Sequence, residues 1–196
     1  MSNLKRELLR RVRNNKYEAN DTGGVTFEGG KLAAHALFDF RFNDESPILI
    51  PNLVPPQGIA VFLDTVLGNQ SKVATWYMAP FAGNVTPASS WTAGNFASTA
   101  TEFTNYAGAA RPEVVLPTAS TGGAIGNAGN RTEFAIGSLT GATNTTVWGA
   151  AVLSSSQKSG TNGFLLSATR LPQARQNLGE PDVLSIEFTM SLTDAG

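Results

Sequence analysis

The stretch "VLSIEFTMSL", residues 183–192, decides the fold. Val183, Ser185, Glu187, Thr189 and Ser191 alternate with Leu184, Ile186, Phe188, Met190 and Leu192. Successive side chains of a strand point to opposite faces, so a period of two sets an apolar face against a polar one. "KLAAHALFDFRF", residues 31–42, repeats the pattern, with Phe38, Phe40 and Phe42 opposite Leu37, Asp39 and Arg41. Both segments read as half-buried antiparallel strands.

Working outward, "KVATWYMAPF", "PEVVLP", "RTEFAIG", "TTVWGAAVLS" and "GFLLSATRL" are each bounded by Gly, Asn, Pro or Ser clusters and read as further strands. "PILIP", held between prolines, suggests an edge strand or an extended crossing. The period changes in "QGIAVFLDTVLG", where Ile59, Phe62, Leu63, Val66 and Leu67 form a helical stripe closed by Gly68. Trp76 and Met78 alternate with Tyr77 and Ala79 in a core strand, and "GNVTPASSWTAGNFA" follows as a long loop. Trp91 and Phe96 are expected to anchor that loop onto the body, because each large aromatic buries roughly 150–250 Å²; stacking on a ligand is the other use such residues have.

The expected fold is all-β, an antiparallel β-sandwich or jelly-roll in residues 23–196, with one short helix near 58–67. Residues 1–22 stand apart as an arm. Leu4, Leu8, Leu9 and Val12 recur at helical spacing over 3–13, with arginines on the other face. Residues 1–16 carry six basic side chains against Glu7, a net of +5, while the remainder of the chain sums to −6. Nucleic acid is disfavoured as the arm's target, since no aromatic interleaves the charges and no base-reading motif follows. An acidic protein neighbour suits it better.

Composition narrows the chemistry. Charged residues make up 15 % of the 196, against about 25 % in ordinary domains, which leaves neutral surface for contact and hints at assembly. The absence of cysteine excludes disulfides, thiolate metal sites and thiol nucleophiles. No apolar run reaches the roughly 18 residues of a membrane span, and the basic start lacks the apolar core of a secretion signal. His35, the single histidine, has Asp39 nearby on its strand but no serine elbow, so packing or surface decoration is expected. Asp44, Glu45, Glu180 and Asp182 lie in loops without calcium-loop spacing. "TGGAIGNAG" matches no phosphate-binding pattern and reads as a flexible loop. No catalytic, cofactor or metal residue is assigned, and no enzymatic activity is expected.

A resemblance adds to this reading. "WYMAPFAGNVTPASSWTAGNFASTATEFTNYAGAARPEVVLP", then "NRTEFAIG" and the segment from "TTVWGAAVLS" to "IEFTMSLT", resembles a family of small virion proteins of tailed bacteriophages. The shared features are a "WY-x-x-x-F-x-GN-x-TP" opening, then "A-T-E", "Y" and "A-x-RP", and later "V-x-G-A" and "LL-x-A-x-R"; they cover approximately residues 73–193. The resemblance implies a capsid cement or decoration protein, seated on the outside of the virion shell with the major capsid protein as partner. It also implies homo-oligomers, with a trimer as one arrangement, and no cofactor. Within that expectation Leu4, Arg6, Leu8, Leu9, Arg10, Arg11 and Arg13 are the partner-binding residues: charge would set register and on-rate, and the leucines buried area. Two alternatives stay open. One is a tail, neck or head-fibre component; the other is a carbohydrate-binding module using Trp91, Trp148 and Tyr106 as stacking groups.

Overall fold

The structure is a computed structural model that describes residues 17–19, 25–27, 32–118, 122–142 and 144–194. The strands are β1 (Tyr17–Ala19), β2 (Val25–Phe27), β3 (Leu32–Phe42), β4 (Ile48–Pro51), β5 (Trp76–Phe81), β6 (Glu113–Val114), β7 (Ala124–Gly126), β8 (Thr132–Ala135), β9 (Val147–Leu153), β10 (Leu165–Arg175) and β11 (Val183–Asp194). The helices are α1 (Pro56–Val66) and α2 (Ala93–Thr99). The strand pairings are antiparallel. β1 and β2 form a two-stranded sheet of their own; of the two larger sheets one runs β10-β9-β5-β6 and the other β4-β3-β11-β7, with β8 also on β11. The architecture is the expected sandwich.

The decisive strand sits in the middle of its sheet. β11 pairs with β3 from Leu184 opposite Phe42 to Asp194 opposite Leu32. Phe38, Phe40, Leu184, Ile186 and Phe188 turn inward and are buried, meeting Met78, Val152 and Leu171 of the other sheet in the main core. The polar face stays outside, where Glu187 lies directly across from Asp39. Arg131 draws these two like charges together, donating to each carboxylate at 3.1 Å.

The four-stranded sheet is buried on both faces, which explains why "GAAVL" and "LLSA" run apolar without alternation. Its second face carries a smaller core in which Phe81, Trp91 and Phe96 pack edge to face around Ala79, Ala151 and Leu165. Close approach needs glycine at Gly149, where a Cβ would strike the Thr169 carbonyl and the Phe81 ring.

Three expectations require correction. The stretch after β5 is not loop throughout: α2 forms there, its start held by the Asn95 side chain accepting from the Thr92 N–H at 2.8 Å. The second helix adds to the one foreseen. The glycine-rich "TGGAIGNAG" contains β7, which pairs Ala124–Gly126 with Ser191–Thr189. Asn127, buried to 1 % exposure between β7 and β8, ties that turn to β11: it accepts from Phe188 N–H at 2.6 Å and donates to the Ile186 carbonyl. Finally, the apolar stripe of α1 is only partly used. The helix buries Gly58 and Val61, while Val66 is 56 % exposed.

Candidate functional site: an apolar groove at the open side of the sandwich

The two sheets are stitched along one side, and along the other Thr132 of β8 donates to the Glu113 carbonyl of β6 at 3.3 Å beside an opening. On the stitched side Leu53 bridges Ala168, Thr169 donates to the Pro51 carbonyl at 2.9 Å, and Asn52 bonds Ser167. On the other side the sheets end in β6 and β7. There a groove of about 530 Å³ opens, walled by Trp76 and Val114 from one sheet, Ile125 and Met190 from the other, and Phe62 and Val66 of α1. Lys72 and Glu113 supply charge at its lining.

Helix α1 is set against this opening by its neighbours. Gly58 lies so close to the Leu166 carbonyl that a Cβ there would overlap it, so backbone meets backbone. Beside it the Gln57 side-chain oxygen accepts from Leu165 N–H at 2.8 Å and from Ala93 N–H at 2.9 Å. One amide therefore ties α1 to β10 and to α2. With that orientation fixed, the carboxyl-terminal turn projects Val66 past the core and into the groove wall.

The residues carrying the virion-protein resemblance form a second site of a different kind. Glu102 and Arg111 make a two-point ion pair at 2.8 and 2.7 Å, with side chains 1 % and 0 % exposed. Arg111 also donates to the Ser155 carbonyl at 3.0 Å and Glu102 accepts from Ser159 N–H at 2.8 Å. Thr101 (φ 54°) and Ser159 (φ 57°) are held in the left-handed region on either side of the carboxylate, a conformation a β-branched threonine adopts only under constraint. Lys158 caps the Tyr106 ring at 3.5 Å and donates to the carbonyls of Thr104 and Tyr106. Burial raises the Tyr106 hydroxyl above its ordinary range, the Glu102 charge adding to this and Arg111 opposing. Burial lowers Lys158, with Glu102 opposing. Apart from the Tyr106 hydroxyl, which is buried without a hydrogen-bond partner, these groups bond to one another and to the chain's own backbone, fastening the segments around 101–111 and 155–160 to each other. The resemblance's Asn84 and Arg170 also meet, at 2.6 Å, with the guanidinium 4.5 Å over the Trp148 ring.

The residues expected to carry function fall as follows. Leu4, Arg6, Leu8, Leu9, Arg10, Arg11 and Arg13 lie outside the described residues. Of the proposed sugar-stacking trio, Trp91 and Tyr106 are buried at 3 % and 6 % exposure, and Trp148 is capped by Arg170, so they form no common platform. His35 is exposed on β3 and pairs with Ser191 across the strands. Glu45 pairs with Arg175, and Asp182 accepts from Asn43 and Gly179. Among the described residues no three His, Asp or Glu side chains group as metal ligands, and no helix is long and apolar enough to cross a membrane. The groove was missed from sequence; its signal was Val66, an apolar residue one turn beyond the last one that α1 buries.

Fold and site together define an all-β sandwich with two short helices, a buried ionic lock and an apolar groove on its open side. Comparison with known protein families, curated proteins and solved structures finds no match to this chain.

Proposed function

We propose that this chain is a structural protein of a bacteriophage virion, a cement or decoration protein that binds the outer face of the capsid shell. One observation carries the reading. The charged residues in the quoted virion-protein features (Glu102, Arg111, Arg170), together with Asn84, make contacts within the chain. Polar side chains spent on holding shape suit a protein whose product is a surface, and a low charge content suits wide contact with a neighbour. In this reading the partner is the major capsid protein, the location is the virion, and copies gather at the shell as homo-oligomers, a trimer being one arrangement. The arm contributes its charge: Arg6, Arg10, Arg11 and Arg13 meet an acidic patch on the shell.

The test is to mix the purified full chain with expanded shells lacking it and locate it by cryo-electron microscopy. Density on the outer face is expected, with occupancy lost on deleting residues 1–16. Density confined to tail or neck, or none on the particle, rejects the reading. Unchanged occupancy after the deletion removes the arm from binding.

A further inference from the structure

We propose that Asn162 is a modification site, where the side-chain amide is lost through a cyclic imide and the main chain is re-joined as isoaspartate. The reaction needs no enzyme. It needs a backbone nitrogen that can reach the amide carbon of the residue before it. "TNGF", residues 161–164, holds the one asparagine of the chain that is followed by glycine. With no Cβ at residue 163, nothing on that residue obstructs the approach.

The fold demands the glycine and leaves the asparagine idle. Gly163 has φ 91°, in the left-handed region, and a Cβ added there would stand 2.5 Å from Ser154 Oγ, so a side chain is shut out twice over. Asn162 is exposed in the connection from β9 to β10. Among the described residues neither its side chain nor the Gly163 N–H has a hydrogen-bond partner. The bonding of the turn begins one residue later, where Phe164 N–H donates to Ser154 Oγ at 2.8 Å and the Phe164 carbonyl accepts from Ser154 N–H at 2.9 Å. Other asparagines are held. Asn43 donates to Asp182 and accepts from Val183 N–H, Asn84 accepts from Arg170, Asn95 accepts from Thr92 N–H, and Asn127 is buried. An amide so bonded cannot turn toward its own backbone without giving up those partners.

The steps balance without an oxidant or a cofactor. Hydroxide takes the Gly163 N–H proton, and the nitrogen attacks Asn162 Cγ to form a new C–N bond. The Cγ–Nδ2 bond then breaks, and the nitrogen leaves as ammonia after taking a proton from water. Water next opens the imide at either carbonyl. Opening at Cγ gives aspartate on an unaltered main chain. Opening at the Asn162 backbone carbonyl leaves Gly163 joined through Cγ, which is isoaspartate with one extra methylene in the main chain. Either product adds a negative charge. It does so in the connection whose Ser155, Ser159 and Gly160 bond the ionic lock. The inference concerns the chain itself and stands whether or not the chain binds a shell.

The test follows the full chain in mildly alkaline buffer, once folded and once in urea. Samples are digested under acidic conditions and mapped by mass spectrometry, with fragmentation that separates isoaspartate from aspartate. In the folded chain the peptide containing Asn162 should convert severalfold faster than any other asparagine peptide, giving isoaspartate together with aspartate. Its folded and unfolded rates should agree within severalfold, because the fold leaves both reacting groups unbonded. Asn162→Gln, whose longer side chain would have to close a larger ring, should abolish the main acidic charge variant of the aged protein. Conversion in urea with an intact Asn162 in the folded chain overturns the proposal, since the fold would then shield the site. It is equally overturned if another asparagine of the folded chain reacts first. Aspartate formed with no isoaspartate also overturns it, because that product comes from direct hydrolysis of the side chain.

Discussion

Replacing Arg111 by methionine tests whether the ionic lock holds the loops in place. The guanidinium is fully buried and makes two bonds to Glu102, with further bonds to the carbonyls of Ser155 and Gly160. Arg111→Met leaves the carboxylate in a dry site with only the Ser159 N–H, and deprives both carbonyls of a donor. Removing one partner of a buried pair costs about 3–5 kcal/mol. For a chain of this size each kcal/mol moves the thermal midpoint by about 2–4 °C, so a fall of about 6–20 °C is expected. Arg111→Lys should rescue little, because an ammonium cannot reproduce the fork. Glu102→Gln combined with Arg111→Met removes both charges and should recover at least ~1 kcal/mol relative to the sum of the single changes. Urea and thermal unfolding of the wild type, Arg111→Met, Arg111→Lys, Glu102→Gln and the double variant measures all of this. A loss below ~1 kcal/mol for Arg111→Met, or strict additivity in the double variant, would refute the account.

Two further outcomes follow from the packing and from the loops. Trp91→Ala empties the centre of the second core, where the indole meets Phe81 and Phe96, and should cost about 3–5 kcal/mol in urea unfolding; a near-neutral change would mean that the indole does not anchor the segment. Hydrogen bonds from Asn43 and the Gly179 N–H hold the Asp182 carboxyl below its ordinary value. A depressed folded value stabilises the protein above the unfolded value and is lost as pH falls through the folded one, so this contribution fades below about pH 4. Asp182→Asn should flatten the acid limb of a stability–pH profile, slightly because the group is near the surface, and an unaltered limb would remove Asp182 from acid sensitivity.

What could be read from sequence, and what could not, has a physical pattern. The strands β3 and β11 were plain because each has one wet face, and water leaves its mark as alternation. β9 and β10 were found as apolar runs bounded by turns, though burial on both faces erased the period. β7 was hidden because its glycines signal turns, whereas Gly126 is small for a different reason: a side chain there would collide with the backbone of Phe188. α2 was hidden because seven residues of Ala, Gly, Asn, Phe, Ser and Thr give no apolar stripe, and Trp91 and Phe96 hold it in place instead. The ionic lock was visible only as isolated letters, since Glu102 and Arg111 become partners once the chain turns back on itself. The groove left the faintest trace, because it is made by six separate segments and belongs to none of them.

The asymmetry of the sandwich links these parts. Along β4 and β10 the sheets are joined by backbone bridges and by Asn52, Ser167 and Thr169, so that side has no free apolar seam. Toward β6 and β7 the groove opens between them, although Thr132 of β8 still donates to the Glu113 carbonyl of β6 at 3.3 Å, and α1 is held beside it by Gln57 and Gly58 rather than by its own last turn. The charged groups of the lock and of the Arg131 cluster are neutralised within the chain, so they offer a neighbour little beyond shape. The chain outside residues 1–16 carries a net charge of −6, so what the folded body offers without a charge is concentrated in the apolar groove, apart from the +5 of residues 1–16.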